Sequence, residues 1–435
     1  MPILIKNARV IDPGHLDEIC DVLIDQDRIA AVQPSGERAG EPRETQVIQG
    51  KGLWLTPGLI DLHVHFREPG QEYKETILTG SRAAAAGGFT TVCTMPNTDP
   101  VNDDPAVTTY ILRRAAEAGL VRILPVAAIS KGLRGEQLCE FGELKAAGAV
   151  GVSDDGRPVM NSQLMRRALE YAGGFGLRVI SHCEEIALAE GGAMNEGALA
   201  TQMGLTGIPN AAESVMVMRD LALAALTGVP VHIAHVSTRE SVEAIRRAKA
   251  DGIAVSAETA PHYFTLTDAA VAGYNTNAKM NPPLRSDADR QAIREGLADG
   301  TIDAIATDHA PHAAMEKEVE FDRAPNGIIG LETALPLALQ LVAQGVLAPG
   351  DLIARMASAP ACLLGLETGV RPGRVADLTL IDPEREFTVD ADTLHSKSRN
   401  TPFNAWRLKG RAVLTMVAGR IAYTSLGEDQ GSFLP

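Results

Sequence analysis

Eight short apolar runs, each followed by a stretch of helical spacing, set the rhythm of the middle of the chain. The runs lie near 59–65, 90–96, 122–129, 149–154, 178–182, 229–237, 253–259 and 302–307 and are rich in Val, Ile and Thr. The helical patterns fall at 74–86, 105–118, 136–147, 162–173, 212–227, 238–250, 286–299 and 331–345, several of them ending at glycine as helix C-termini do. Buried strand followed by helix, repeated in this way, predicts a (β/α)8 TIM barrel over 55–365, with the loops after the strands building the functional site. The flanks have another texture. Residues 2–50 (ILIKNARVID, DVLIDQDRIAAV, TQVIQG) and 376–424 (ADLTLID, VLTMVAGRIAYT) read as short strands and turns, with Gly419 at a hairpin turn. Neither flank has enough strands to bury a core alone. Residues 1–54 and 366–435 are therefore expected to share one composite β-sandwich domain beside the barrel.

Several of the apolar runs end on residues that bind metals. The first continues as Asp-Leu-His-Val-His-Phe-Arg over 61–67, and a strand period of two puts His63, His65 and Arg67 on one face, opposite Leu62, Val64 and Phe66. AVGVSDD runs into Asp155, RVISH into His182, VHIAH into His235 and DAIATD into Asp308. Candidate ligands thus stand at the ends of strands 1, 4, 5, 6 and 8. Imidazoles and carboxylates without a thiolate make a nitrogen/oxygen site suited to zinc or a similar divalent ion, in one or two copies. Coordination of that kind brings the pKa of bound water near neutrality, so hydrolysis is the natural reaction. Asp308, beside such a water, is placed to accept its proton and pass it to a leaving nitrogen.

The other histidines are read differently. His232 precedes His235 by three positions, so strand parity turns it away from the metal, and it is expected to pack outside the barrel. The same parity sets His309 aside. His262, in TAPHY, is expected to support the ligands, to contact substrate, or to be a hydrogen-bonded structural residue. Cys183 follows His182 directly and should be a small buried apolar residue.

Charge and cysteine usage narrow the function classes. A formal net charge of −15 disfavours nucleic acid, so an anionic substrate must be met by local cations such as Arg67. Arg67 offers a bidentate fork for a carboxylate, and Asn97 adds amide donors beside it. The five cysteines form no Cys-X-X-Cys, so neither a disulfide framework nor a thiolate zinc cluster is indicated, and a cytoplasmic setting fits. No apolar run approaches the 18 residues of a membrane span.

Seven ordered motifs then carry a resemblance: DLHVHFREPG, MPNT at 95–98, SDDG at 153–156, SHCEE at 181–185, HVST at 235–238, KMNPPLR at 279–285 and ATDHAPH at 306–312. Together they resemble the dihydroorotases of the amidohydrolase superfamily, and more closely the bacterial type I enzymes. In those an aspartate takes the place where many relatives carry a carboxylated lysine; here that position is Asp155. The resemblance implies reversible hydrolysis of dihydroorotate to N-carbamoyl-aspartate in pyrimidine biosynthesis, with zinc as cofactor. It implies His63, His65, Asp155, His182, His235 and Asp308 as ligands, with Asp308 also catalytic. Substrate contacts would come from His65, Arg67, Asn97, Asn281, His312, Asn326 and Gly327. As partners it implies a small-molecule substrate and a homodimer or a complex with aspartate carbamoyltransferase, without nucleic acid or membrane. Two alternatives stay open. A hydantoinase or allantoinase has the same barrel but would carry the lysine, and a non-catalytic partner of aspartate carbamoyltransferase would lack the ligands.

Overall fold

The computed structural model describes residues 1–36, 45–427 and 431–433; parts of the expected small domain, 37–44, 428–430 and 434–435, lie outside the described residues. The eight predicted barrel strands are present in chain order and parallel: Leu59–Val64, Phe89–Thr94, Arg122–Ala127, Gly151–Ser153, Arg178–Ser181, Val231–Ile233, Val255–Thr259 and Ala304–Ile305. Inside them a small apolar layer forms from Leu62, Cys93, Met95, Val126, Ile180, Ala234, Ala304 and Ala306. Outside, helices such as Ile77–Gly87 and Leu331–Ala343 bury apolar faces against the strands.

Local chemistry explains most element boundaries. The helix Pro105–Ala118 starts where Asp104 caps Ala106 N and Pro105 opens the first turn, and it stops at left-handed Gly119. The helix expected from 136 begins only at Phe141. The preceding residues form a loop instead, bridged between Ser130 and Leu138, and Asp154 accepts from the backbone of Ile129 and Ser130. The sixth and eighth strands are shorter than their apolar runs. His235 and Asp308 take left-handed φ angles of 33° and 48°, which a continuous strand does not contain.

The barrel closes between its first and last strands. Val64 bridges His309, and His65 N donates to His309 O at 2.8 Å. The carboxylate of Asp61, fully buried in the first strand, accepts from Thr307 N at 3.0 Å, Thr307 Oγ1 at 2.6 Å and His63 N at 3.1 Å. One side chain thus stitches the seam beneath the site.

The chain ends join in one nine-stranded sheet, ordered from the C-terminal hairpin through Leu378–Thr388 and Trp54–Pro57 to Ile3–Asp12 and its neighbours. It has a core of its own, including Ile5, Val10, Val22, Leu55, Leu380 and Leu414. Ala418 and Gly419 turn the hairpin between Arg407–Val417 and Arg420–Thr424 with φ angles of 47° and 74°. The turn packs so closely that a Cβ on Gly419 would lie 1.8 Å from Gln26 O. Among the described residues no helix is long and apolar enough to cross a membrane.

Removing the seam carboxylate leaves three buried donors without an acceptor. Asp61→Ala should cost about 3 kcal/mol of unfolding free energy, read from urea denaturation, while Asp61→Asn should cost markedly less. A loss in the alanine variant below about 0.5 kcal/mol would rule out this role for the seam.

Candidate metal centre

The candidate ligands meet at the C-terminal mouth of the barrel. Asp155 is at their middle: its Oδ1 lies 3.4 Å from His63 Nε2, 3.4 Å from His235 Nε2 and 3.5 Å from His182 Nδ1, and its Oδ2 lies 3.5 Å from His65 Nε2. The described residues contain two groups able to hold an ion, His63–His65–Asp155 and Asp155–His182–His235, and Asp155 belongs to both. Asp308 stands against the first group, 3.1 Å from His65 Nε2 and 3.7 Å from His63 Nε2.

The donor set fits a cation. His63 Nε2 and Asp155 Oδ1 are buried without a hydrogen-bond partner, and two ring nitrogens, His182 Nδ1 and His235 Nε2, face each other at 2.8 Å. Converging lone pairs out of reach of water are costly until a donor or a cation satisfies them. Burial pushes Asp155 upward, but the imidazoles of His63, His182 and His235 outweigh it and hold the carboxyl well below its ordinary value.

Beneath the site lies a carboxylate that sequence reasoning missed. Glu258 Oε1 is 2.9 Å from His63 Nδ1 and its Oε2 is 3.2 Å from His232 Nε2. His232 Nδ1 also meets Ser256 Oγ at 2.8 Å. The expectation that His232 packs outside the barrel is therefore wrong. Val231 and Ile233 face the outer helices, and His232 faces the interior. His235 reaches the centre because its left-handed backbone breaks the alternation on which the parity argument depended. The first strand breaks it too: a register shift between Asp61 and Val64 brings Leu62 into the inner layer, contrary to its expected face. A lone carboxylate in the apolar strand Val255–Thr259 was the available signal for Glu258.

A cavity of about 210 Å³ opens above the ligands, lined by His65, Arg67, Asn97, Asp155, His182 and His235. Asn281, Asp308, His312, Asn326 and Gly327 complete the expected set, with Gly156 and Ala310 added; His63 sits deeper. Arg67 lies beyond the end of its strand and reaches the cavity through a left-handed turn with φ 59°, not through strand alternation. It is buried, its Nε donates to Pro311 O at 3.2 Å, and among the described residues no carboxylate lies within ion-pair distance of it. Asn97 Oδ1 meets His65 Nδ1 at 2.8 Å. Burial and the cations Arg67, Lys74 and Lys317 lower His312 to about 2, so its ring is neutral. Its Nε2–H donates to Asn326 O at 2.8 Å, which leaves Nδ1 to face Lys74 Nζ at 3.4 Å.

The remaining expectations divide. His309 sits behind the site, bonded to Glu75 and to Gly330 N, as parity implied. Cys183 is buried in the apolar core. His262 lies outside the cavity lining; its Nε2 is buried without a hydrogen-bond partner, so the hydrogen-bonded reading does not hold at that atom.

Comparison with known proteins agrees with this geometry. The family model described as dihydro-orotase-like matches residues 52–241. Proteins named dihydroorotase from Desulforapulum autotrophicum and Geobacter metallireducens are 57% and 56% identical, over 97% of this chain and 99% and 100% of their own. This chain belongs to the dihydroorotase family. Among solved structures, the L-hydantoinase of Arthrobacter aurescens superposes with a TM-score of 0.87 at 26% identity, covering 100% of this chain and 97% of that one. A dihydropyrimidinase from Brevibacillus agri does so with a TM-score of 0.83 at 23% identity, over 97% of this chain and 95% of its own. This chain thus shares its overall fold with these two solved structures, and the dihydroorotase family holds this sequence.

The carboxylate under His63 gives a test. Glu258→Gln should leave the fold intact yet weaken metal affinity by about tenfold, measured by competition with a chelator, as loss of a carboxylate partner to a ligating histidine does. Unchanged affinity would show that Glu258 does not orient His63.

Proposed function

We propose that the protein catalyses the reversible hydrolysis of dihydroorotate to N-carbamoyl-aspartate. The observation that carries this reading is the buried Arg67 guanidinium, which has no carboxylate of its own and faces a cavity whose floor is the two ligand groups. A buried cation without a counter-ion is expensive, and a carboxylate arriving with the substrate supplies one. Full-length relatives named dihydroorotase support the same substrate.

His63, His65, Asp155, His182, His235 and Asp308 would hold divalent metal, and their nitrogen/oxygen character suits zinc, in one or two ions with Asp155 shared. When bound, the metal supplies Lewis acidity toward the ring carbonyl and lowers the pKa of water. Arg67 and Asn97 grip the substrate carboxylate, with Asn281, His312 and the backbone of Asn326 and Gly327 lining the same cavity and His312 Nε2 only 3.4 Å from Arg67 Nη2. In hydrolysis a C–O bond forms to the ring carbonyl carbon and the amide C–N bond breaks. Asp308 accepts the proton released from water and delivers it to the departing nitrogen; ring closure reverses each transfer. Burial pushes Asp308 up, but the His65 hydrogen bond and the imidazoles around it set it below the usual carboxylate range, so it starts as the base. The finer expectations rest on the family resemblance: zinc as the ion, a homodimer or a complex with aspartate carbamoyltransferase as the assembly, and the cytoplasm as the compartment.

Two substitutions test the roles. Arg67→Met should reduce kcat/KM for dihydroorotate by about tenfold to a hundredfold, the equivalent of a charge-assisted bond of about 1.5–3 kcal/mol, while slow hydrolysis of dihydrouracil stays unchanged. Equal impairment of both substrates, or a wild-type preference for the uncharged ring, would move a hydantoinase ahead. Asp308→Asn should keep substrate binding and cut turnover by about a hundredfold or more, with metal content measured in parallel. Wild-type turnover in the metal-replete variant would remove Asp308 from proton transfer.

A further inference from the structure

Two buried polar side chains that do not line the cavity converge on one backbone carbonyl of its wall. Lys317 Nζ donates to Pro325 O at 2.8 Å, Gly327 O at 3.1 Å and Lys279 O at 3.4 Å. Asn400 Nδ2 donates to the same Gly327 O at 3.0 Å and to Ala310 O at 3.0 Å, and Asn400 Oδ1 accepts from His312 N at 3.0 Å. Lys317 and Asn400 are only 5% and 3% exposed. Among the described residues no carboxylate lies within ion-pair distance of Lys317; the adjacent Glu316 turns to Lys74 instead, at 3.0 Å. An ammonium has three donors, and here each meets a carbonyl.

Burial and the neighbouring Lys279 push Lys317 down to about 7, so keeping its ammonium form against carbonyls alone is a costly way to hold a loop. What it achieves is specific. Three carbonyl oxygens, with their negative dipole ends toward one another, are gathered at a point, and they belong to segments carrying Asn281, Asn326 and Gly327. Asn400, which follows the barrel in the chain, ties the same point to the segment carrying His312. Gly327 has no slack, because a Cβ there would lie 2.6 Å from Ala310 Cβ and 2.9 Å from Ala310 O.

We propose that Lys317 and Asn400 are positioning residues for the substrate, acting through Gly327 O to set the wall formed by Asn281, His312, Asn326 and Gly327. This rests on the reading that Asn326 and Gly327 border the substrate. Neither side chain touches the candidate ligands, so binding and turnover should separate. Lys317→Met and Asn400→Leu should each raise the KM for dihydroorotate by about tenfold, with kcat within about threefold and metal content at the wild-type level. Because both act through one carbonyl, the double variant should raise KM by less than the product of the single effects.

Gly327→Ala, which displaces the loop directly, separates the two ways of failing. If it raises KM while the two single variants do not, the positioning role is overturned and the reading of the loop stands. If Gly327→Ala leaves KM unchanged, that reading falls and the proposal with it. Loss of metal, loss of soluble protein, or a fall in kcat at constant KM in Lys317→Met and Asn400→Leu would equally overturn the proposal, making the pair a support of the fold or of the metal centre.

Discussion

Closure of the barrel between its first and eighth strands is the constraint on which the site depends. The candidate ligands His63 and His65 leave the first strand, and Asp308 leaves the eighth; they meet only because Asp61 and the Val64–His309 bridge hold those two strands in register. Strands four, five and six bring Asp155, His182 and His235 to the same mouth from the other side. Parallel strands in a closed ring make this convergence automatic, since every strand ends on one rim. The apolar layer below supplies rigidity and the rim supplies chemistry.

The alternation of strand and helix was legible because eight buried runs with helical spacers have few other solutions, and the strand-end ligands were legible because Asp and His are rare termini for apolar runs. The errors about which face a side chain takes share one cause. Parity holds only while the backbone stays extended, and it lapses at the register shift between Asp61 and Val64 and at the left-handed residues Arg67, His235 and Asp308. His232 was therefore assigned to the wrong side of the barrel wall, and Arg67 to the right side for the wrong reason. Glu258, Lys317 and Asn400 escaped notice because their roles lie in contacts between distant segments, which periodicity does not report. Asn400 is 73 positions from Gly327, the residue whose carbonyl it holds.

Left-handed backbone at three candidate site residues is itself informative. Such conformations are unfavourable for side chains other than glycine and persist where surrounding structure over-determines them. Here each marks the point at which a chain leaving the barrel turns a functional side chain inward. The site accepts local strain in exchange for direction, and the packed barrel beneath it absorbs the cost.

The composite sheet sets the order in which the molecule can be completed. Trp54–Pro57 pairs with Leu378–Ile381, so a ladder begun at the start of the chain waits for residues more than three hundred positions later. During synthesis the N-terminal strands emerge first and expose an unpaired edge while the whole barrel is still being made. Contacts of such sequence separation make folding slow and leave partly built chains prone to aggregate. The nascent protein therefore has a long interval in which a chaperone, or a neighbouring nascent copy, competes for that edge, and yield in a cell depends on how this interval is managed as much as on the stability of the finished fold.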